Sequence, residues 1–342
     1  MAKKPATVQD VAKAAQVSTA TVSRALRKPE LLTENTKKAV FEAIKSTGYR
    51  VNRAARNLRT RRAGAILVLV PNLAKPFFSA VLSGINDGFA ESGLEVLITD
   101  SEGKPILEGD LAGRFLDGSI DGVISLDGSL SKSVLDHCRA ANVAEKIVFA
   151  CEWTSDPFFP SIRSDNVKGA RLAIRHLHQM GHRNIAHVTG PEGNVLTGAR
   201  RSGMHEERER LNLPSRPEWI IRGDFSLESG HAAASQILAM QERPSAVFCA
   251  ADMVAFGLIS GLRQGGVSVP QDISVVGFDD IEMSEFYVPA LTTIRQDRHE
   301  IGMQAAERLL RRLSGHSDDN DFVAVDVELI VRDSVLPLSS AH

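Results

Sequence analysis

Residues 7–49, TVQDVAKAAQVSTATVSRALRKPELLTENTKKAVFEAIKSTGY, contain three short segments whose apolar residues recur at helical spacing. The residues suited to cap these helices are Thr7, Ser18 and Thr33 at their starts and Gly48 after the last. Helices this short are unstable alone in water, so their apolar faces must pack on one another. A tight turn at residues 16–17 gives the first two the spacing of a helix-turn-helix motif.

The second helix of such a motif enters the major groove of DNA with its N-terminal residues. The candidate DNA-contacting residues of this region are therefore Thr7, Ser18, Thr19, Ala20, Thr21, Ser23 and Arg24.

Charge is divided unevenly along the chain. Residues 1–62 carry a net charge of +11, whereas residues 63–342 carry −13. A compact basic domain gains affinity for double-stranded DNA by releasing counterions, and an acidic body is repelled. The alternative, a solvated basic tail, lacks the apolar periodicity that this segment has.

The run VSTATVSRAL, preceded by TVQDVAKAAQ and followed by TGYR, resembles the DNA-binding head of the lactose/galactose-repressor (LacI/GalR) family of bacterial transcription regulators. In YRVNRAARNLRTRR, residues 52–58 resemble the hinge helix of that family, which folds on operator DNA and pushes a leucine into the minor groove. The resemblance implies DNA contacts by Asn52, Ala55, Leu58 and Arg59. The sequence departs from the family at Val51, where many members have proline. Without the resemblance, Leu58 would be interpreted as an ordinary core leucine.

Beyond residue 62, apolar β-branched runs alternate with helical stretches, which predicts parallel strands buried on both faces. The runs lie at 65–70, 94–99, 121–126, 146–151, 184–189, 245–250 and 273–278. So long a segment favours two α/β lobes, and the layout is similar to the effector domain of the same family, which has a periplasmic sugar-binding fold with three crossings between lobes. We expect the crossings at Ser161–Asn166, at 291–297 and in the gap before the run at 322–331.

The predicted fold class is thus α/β: a three-helix helix-turn-helix head with a hinge helix, then two doubly wound parallel-sheet lobes of the type I periplasmic-binding-protein kind. The predicted domains are a head at 1–50, a hinge at 51–62 and an effector domain at 63–342. Within the last, the first lobe takes 63–162 and 295–321, and the second takes 163–292 and 322–338.

Polar and aromatic residues follow the strands, where ligands of open α/β sheets bind. The resemblance places Phe77, Asn194, Leu196, Arg200, Phe225 and Asp279 at effector-contacting positions. Glu152 and Trp153 stand where other members often have an aspartate followed by an aromatic residue, and Asp252 follows another strand. Carboxylates and a guanidinium can bind hydroxyl groups while rings cover an apolar face, which suits a small sugar or nucleoside effector.

A helical stripe begins at Phe78 and continues through Val81, Leu82, Ile85 and Phe89. This period indicates either a core face or a subunit interface, and the resemblance favours the interface of a homodimer. Such a dimer would bind a pseudo-palindromic operator. For Phe78 itself the spacing is compatible with two roles, contact with the ligand and packing in the core.

Several chemistries lack their residues. The histidines His176, His178, His182 and His187 have no metal-ligand spacing, so neither a metal nor a cofactor is expected. Cys138, Cys151 and Cys249 stand singly in apolar surroundings, as buried thiols of a reducing cytoplasm do. Phosphate-loop, dinucleotide and hydrolase motifs, a signal peptide and a transmembrane run are absent from the sequence, which predicts a cytoplasmic protein without a membrane partner.

Two functions remain. The first is an effector-controlled transcription regulator, most simply a repressor, and the second is a sugar- or nucleoside-handling binding module or enzyme with an incidental basic arm. An enzyme needs a nucleophile or general base, and the predicted site offers only hydrogen-bonding groups. The head and the PFF segment at 76–78 look closest to the cytidine-repressor branch, but Asn194 and Leu196 differ from its purine-binding relatives. The effector, and whether it releases DNA or promotes binding, stay open.

Overall fold

The protein is described by a computed structural model that covers residues 6–26, 28–49, 63–101, 109–316 and 322–338. The chain forms two compact units, a head unit at Met1–Arg62 and an effector unit at Ala63–His342.

The described part of the head unit contains the helices α1 (Val8–Ala14), α2 (Thr19–Ala25) and α3 (Glu34–Thr47), with a one-turn 3-10 helix at Pro29–Leu31. The predicted caps are confirmed. The Thr7 hydroxyl accepts the backbone N–H of Asp10, and the backbone N–H of Thr7 donates to the Asp10 carboxylate. The hydroxyls of Ser18 and Thr33 each accept the backbone N–H of the residue three positions later. Gly48 ends α3 in the left-handed conformation, with φ 66°.

Each helix contributes a pair of buried residues to one small core. The pairs are Val11 and Ala12, Val22 and Ala25, and Val40 and Ala43. Leu26 and Ile44 pack at the rim of this core, so the predicted apolar faces meet as expected. Because each of the first two helices has only 7 residues, their mutual packing is what stabilises them.

The strands of the effector unit are β1 (Ala65–Val70), β2 (Glu95–Asp100), β3 (Gly122–Ser125), β4 (Ile147–Ala150), β5 (Ser161–Ser164), β6 (Ile185–Val188), β7 (Ile220–Ile221), β8 (Ala246–Cys249), β9 (Ser274–Asp279), β10 (Thr292–Gln296), β11 (Phe322–Val325) and β12 (Val327–Ile330). Its helices are α4 (Phe77–Phe89), α5 (Asp110–Leu116), α6 (Lys132–Ala140), α7 (Asn166–Gln179), α8 (Val195–Arg210), α9 (Leu227–Ala239), α10 (Asp252–Gln264), α11 (Met283–Phe286) and α12 (Arg298–Leu313). Two short 3-10 helices, each of one turn, lie at Ala144–Lys146 and Pro217–Trp219.

Two sheets form two lobes. The first has the strand order β11-β5-β4-β3-β1-β2 and the second β12-β10-β9-β8-β6-β7. Neighbouring strands are parallel, except that β10 and β12 are antiparallel. All seven apolar runs therefore form strands as predicted. One of them is not buried on both faces, because β2 is an edge strand and leaves Leu97 and Ile98 exposed.

The chain crosses between the lobes after β5, after β10 and between β11 and β12. The third crossing was predicted wrongly, since it lies at Asp326 inside the run 322–331 rather than in the gap before it. The predicted lobe bounds are therefore wrong at three places: residues 163–164 and 322–325, predicted in the second lobe, pair in the first sheet, and residues 295–296, predicted in the first lobe, pair in the second. A single aspartate divides the apolar run without a glycine or proline to mark the break, and its carboxylate pairs with Lys168.

The predicted dimer stripe is wrong as an interface. Val81, Ile85 and Phe89 are buried in the core of the first lobe together with Phe78, and the half-buried Leu82 packs on the same core. Because Val81, Ile85 and Phe89 are buried within their own chain, a second copy cannot reach them, and only the half-buried Leu82 stays partly accessible. Helical periodicity indicates a buried face but does not specify what covers it.

Helices in both lobes approach each other at glycines. In the first lobe Gly84 and Gly302 bring the backbones of α4 and α12 into contact. In the second lobe Gly257 of α10 lies against the Leu227 carbonyl of α9.

Among the described helices, none is long and apolar enough to cross a membrane.

Gly257→Ala should lower the free energy of unfolding by about 1–3 kcal/mol, because the added methyl collides with the Leu227 backbone, which cannot rotate away. The matched control is Gly198→Ala in α8, where a Cβ meets nothing within 4 Å and alanine favours the helix by up to about 1 kcal/mol. Urea denaturation of both variants measures the difference. Equal stabilities of the two variants would contradict the close approach.

Candidate functional site

The exposed face of α2 presents the predicted base-reading residues together. Thr19, Ala20 and Arg24 are exposed, and they share a surface depression with Ser23 and Lys28. Ser23 is half-buried at its wall. This concave, basic surface is a candidate DNA-binding surface.

The other head candidates have structural partners. Thr7 caps α1, and Ser18 caps α2 while its hydroxyl lies 2.9 Å from that of Thr21. Thr7 and Ser18 remain exposed, so capping leaves them accessible. The hinge candidates Asn52, Ala55, Leu58 and Arg59 lie outside the described residues.

A small cavity lies between the lobes of the effector unit, where the carboxyl ends of strands from both sheets converge. Its volume is about 70 Å³. The residues that line it are Pro71, Lys75, Phe77, Phe78, Cys151, Glu152, Leu196, Arg200, Phe225, Ala251, Met253, Asp279 and Ile281. Seven of the predicted effector residues are in this set: Phe77, Phe78, Glu152, Leu196, Arg200, Phe225 and Asp279.

Arg200 is the buried cation of the cavity, with 2% of its surface exposed. Its Nε donates to Asn166 Oδ1 at 2.9 Å, its Nη1 donates to the Ala250 carbonyl, and its guanidinium carbon lies 3.8 Å from the centre of the Phe278 ring. Nη1 is also 3.8 Å from Asp279 Oδ1. Burial lowers the pKa of Arg200, and the nearby carboxylates act in the opposite direction.

Asp279 accepts a hydrogen bond of 2.7 Å from Gln296 Nε2 and points into the cavity at the end of β9. Burial raises the pKa of its carboxyl to about 7, although the charge of Arg200 favours the carboxylate. Both side chains belong to the second lobe, so the pair is not an ion pair between lobes. A ligand that bridges the lobes must therefore find its other partners on the first lobe.

Glu152 supplies the carboxylate of the first lobe, which also contributes Lys75 to the lining. One of its carboxylate oxygens accepts the Gly128 backbone N–H at 3.0 Å, and the other accepts Asn194 Nδ2 at 2.9 Å. Burial raises the pKa of Glu152, while these two donors favour the carboxylate. Asn194, a predicted effector residue, therefore hydrogen-bonds to the lining residue Glu152 but does not itself line the cavity.

Aromatic rings close the cavity. Phe77 packs against the cores of both lobes, and Phe78 meets it edge-on with ring centres 5.2 Å apart. Phe78 also belongs to the first-lobe core, so it both packs and lines the cavity. Across the cavity, Lys75 Nζ lies 6.0 Å from the centre of the Phe225 ring.

Family models and known proteins match the chain along its length. Residues 7–52 match the model of bacterial regulatory proteins of the lacI family, and residues 174–335 match that of the periplasmic binding protein-like domain. The chain is 35% identical over 338 residues, 97% of each sequence, to the HTH-type transcriptional repressor CytR of Escherichia coli strain K12.

The chain belongs to the lacI family of bacterial regulatory proteins. Solved structures of the family are similar throughout. The Lac repressor dimer bound to operator and the anti-inducer ONPF has a TM-score of 0.82 at 29% identity, covering 97% of this chain and 100% of that one. The CelR–cellobiose complex has a TM-score of 0.73 at 27% identity, covering 96% and 99%. The predicted family and fold class are confirmed, and this lacI-family protein is a transcriptional regulator, not an enzyme.

Two predicted effector residues of this lacI-family chain have other partners. Asp252 is fully buried, and its carboxylate accepts hydrogen bonds from the Ile281 N–H at 2.9 Å and the Ser284 hydroxyl at 2.7 Å, and one from Thr293. It fixes the loop that follows β9, and it does not line the cavity. Sequence position after a strand could not distinguish these roles.

Trp153 is the second correction. The centre of its ring lies 4.4 Å from the guanidinium carbon of Arg163, and the same carbon lies 4.0 Å from the ring centre of Phe322. Trp153 therefore stacks beside the first and third crossings and does not line the cavity, because the chain turns sharply at Cys151, whose φ is 66°.

Sequence reasoning missed six cavity residues: Pro71, Lys75, Cys151, Ala251, Met253 and Ile281. Each lies within five residues of the end of a predicted strand, so position was a signal. Most are apolar, however, and the search at the strand ends was for polar and aromatic residues. Among the described residues, no group of three or more His, Cys, Asp or Glu is arranged to hold a metal ion.

Proposed function

We propose that this chain is a repressor that binds a pseudo-palindromic operator as a dimer and responds to a small sugar or nucleoside bound between its lobes. The observation that carries the proposal is the cavity in which Arg200 and Asp279 of one lobe face Glu152 of the other, on a chain that also presents Thr19, Ala20 and Arg24 on an exposed helix. A repressor and a Lac repressor–operator complex among its relatives support the DNA-binding part.

The effector class follows from the lining of the cavity. Carboxylates accept hydrogen bonds from hydroxyl groups and the guanidinium donates them, while Phe77 and Phe225 offer apolar faces to a sugar ring or a base. A relative bound to cellobiose supports a sugar. In this proposal the contacts are Phe77, Phe78, Glu152, Leu196, Arg200, Phe225 and Asp279.

The DNA contacts divide into three kinds in this proposal. Thr19, Ala20 and Arg24 read bases in the major groove, and the hinge residues Asn52, Ala55 and Arg59 hold the minor groove around the Leu58 wedge. Thr7, Ser18, Thr21 and Ser23 support the recognition helix or contact phosphates.

Arg24→Ala should cost about 1–3 kcal/mol of operator binding and relax the base preference at one position, because a base contact is lost. Arg59→Ala should weaken operator and random DNA alike and flatten the salt dependence by about one unit. Titration of labelled operator and random duplexes at several salt concentrations separates the two. Identical losses on both duplexes for both variants would refute the division.

Asp279→Asn should abolish the response to effector while operator affinity stays nearly unchanged, since the cavity loses the carboxylate that the second lobe contributes and the head is untouched. A thermal-shift screen of sugars and nucleosides finds the effector, because a ligand at 100 times its dissociation constant stabilises by about 2.7 kcal/mol. Glu192→Gln, at an exposed ion pair with Arg222, is the control. A normal response of the Asp279 variant would overturn the assignment.

The homodimer needs a surface other than the buried stripe on α4. Phe286, at the end of α11, is 79% exposed, Val288 just after this helix is 83% exposed, and Met283 at its start is 49% exposed. An apolar cluster this exposed is typical of an interaction surface, and we propose that it belongs to the dimer interface.

Phe286→Asp should therefore weaken the dimer by at least about tenfold, because it places a charge in an apolar contact. Leu116→Asp, at a side chain 71% exposed on the first lobe, is the control and should leave the dimer intact. Sedimentation velocity across a micromolar dilution series measures both. Unchanged dimerisation of the Phe286 variant would exclude this surface.

A further inference from the structure

The cavity is too small for the effector class proposed for it. Its volume is about 70 Å³, whereas sites for small molecules span about 300–1,000 Å³ and one water takes up about 30 Å³. A sugar or nucleoside can enter only if the lobes separate or the lining moves outward. The contacts that hold the lobes together therefore control access.

One side-chain hydrogen bond joins the lobes at the cavity. Asn194 Nδ2 of the second lobe donates to Glu152 Oε1 of the first at 2.9 Å. Within the described residues, the other side-chain hydrogen bonds between the lobes belong to the crossing segments, where Arg298 reaches the Asp280 carbonyl and Glu282. The Glu152–Asn194 bond lies outside the crossing segments, so it can break when the lobes separate and can resist that separation.

Both side chains are anchored to backbone at their other atoms. The second oxygen of Glu152 accepts the Gly128 N–H at 3.0 Å, in the loop after β3. Asn194 Oδ1 caps α8 by accepting the N–H groups of Leu196 at 2.9 Å and Thr197 at 3.4 Å. The bond therefore connects a loop of the first lobe to the start of the helix that carries Arg200.

We propose that the Glu152–Asn194 hydrogen bond is a latch that holds the lobes closed over the cavity, and that the effector must break it to enter. The effector part rests on the proposed function, but the latch itself is a property of the free chain. Opening frees a Glu152 oxygen for a ligand hydroxyl, so the latch and the effector compete for the same acceptor.

Cys151 reports on the latch without any ligand. Its thiol packs in the first-lobe core and also lines the cavity next to Glu152, whereas Cys138 and Cys249 are buried in the cores of the first and second lobes and do not line it. Opening of the lobes exposes Cys151 alone, and unfolding exposes all three. The rate of N-ethylmaleimide labelling, followed by peptide mass spectrometry of the full-length protein, distinguishes the two events.

Asn194→Ser and Asn194→Asp both keep a side chain that caps α8, so the helix start survives. The serine is too short to reach Glu152, and the aspartate repels it. Each variant should label Cys151 about tenfold faster than the parent, which corresponds to about 1.4 kcal/mol. Asn184→Ser is the matched control, because Asn184 donates to Glu242 within the second lobe, and it should label at the parent rate.

Parent-like labelling of Cys151 in both Asn194 variants would overturn the latch. Equal acceleration at Cys138 and Cys249 would do so as well, because it shows unfolding rather than opening. Neither DNA nor effector is present in this experiment. A failed effector screen therefore counts against the proposed function alone, and unchanged labelling counts against the latch alone.

Discussion

The buried guanidinium of Arg200 is the interaction on which the rest of the effector unit depends. A charge taken from water costs several kcal/mol unless hydrogen bonds and opposite charge surround it. Here the partners come from the start of α7, just after the first crossing, and from the ends of β8 and β9. One side chain thus connects the crossing segment, the second sheet and the cavity wall. Asp279 and Asn166, one at the cavity and one just after the first crossing, thus contact the same guanidinium.

The cavity wall is also where the backbone is strained. Cys151 and Phe225 each have a φ of 66°, and Asp279 has a φ of 129°, a region in which side chains are uncommon. Such conformations cost about 1–3 kcal/mol each and persist only where the surroundings hold them. The strain turns the chain sharply where three strands or loops end, which brings Glu152, Phe225 and Asp279 to the same space. Asp280, at φ 53°, is held by ion pairs with Arg295 and Arg332.

The two units separate the two tasks of the molecule. The basic head has a core of six buried residues and places its polar side chains on one exposed helix face. The acidic effector unit has large cores in both lobes, and among its described residues three crossings and, at the cavity, one side-chain hydrogen bond join them. A ligand can shift such a two-lobed unit only by its different affinity for the open and closed arrangements. In the proposed latch, that difference arises at the Glu152–Asn194 hydrogen bond, which the closed arrangement keeps and the open arrangement loses.

Sequence alone determined the local structure. The caps at Thr7, Ser18 and Thr33 and the seven apolar runs were correct because they depend on neighbours within a few residues, whose chemistry is written in order along the chain. Seven effector candidates also proved to line one cavity, since strand ends of a parallel sheet meet at one edge.

Tertiary structure decided what each buried side chain faces. The stripe on α4 and the carboxylate of Asp252 were correctly expected to have partners, but the partners were the chain's own core and its own loop. The third crossing lies at Asp326 because the strands on its two sides pair in different sheets, a long-range choice that an unbroken apolar run does not reveal. The spacing of apolar residues indicates that a side chain is buried. Only packing between distant segments determines which residues cover it.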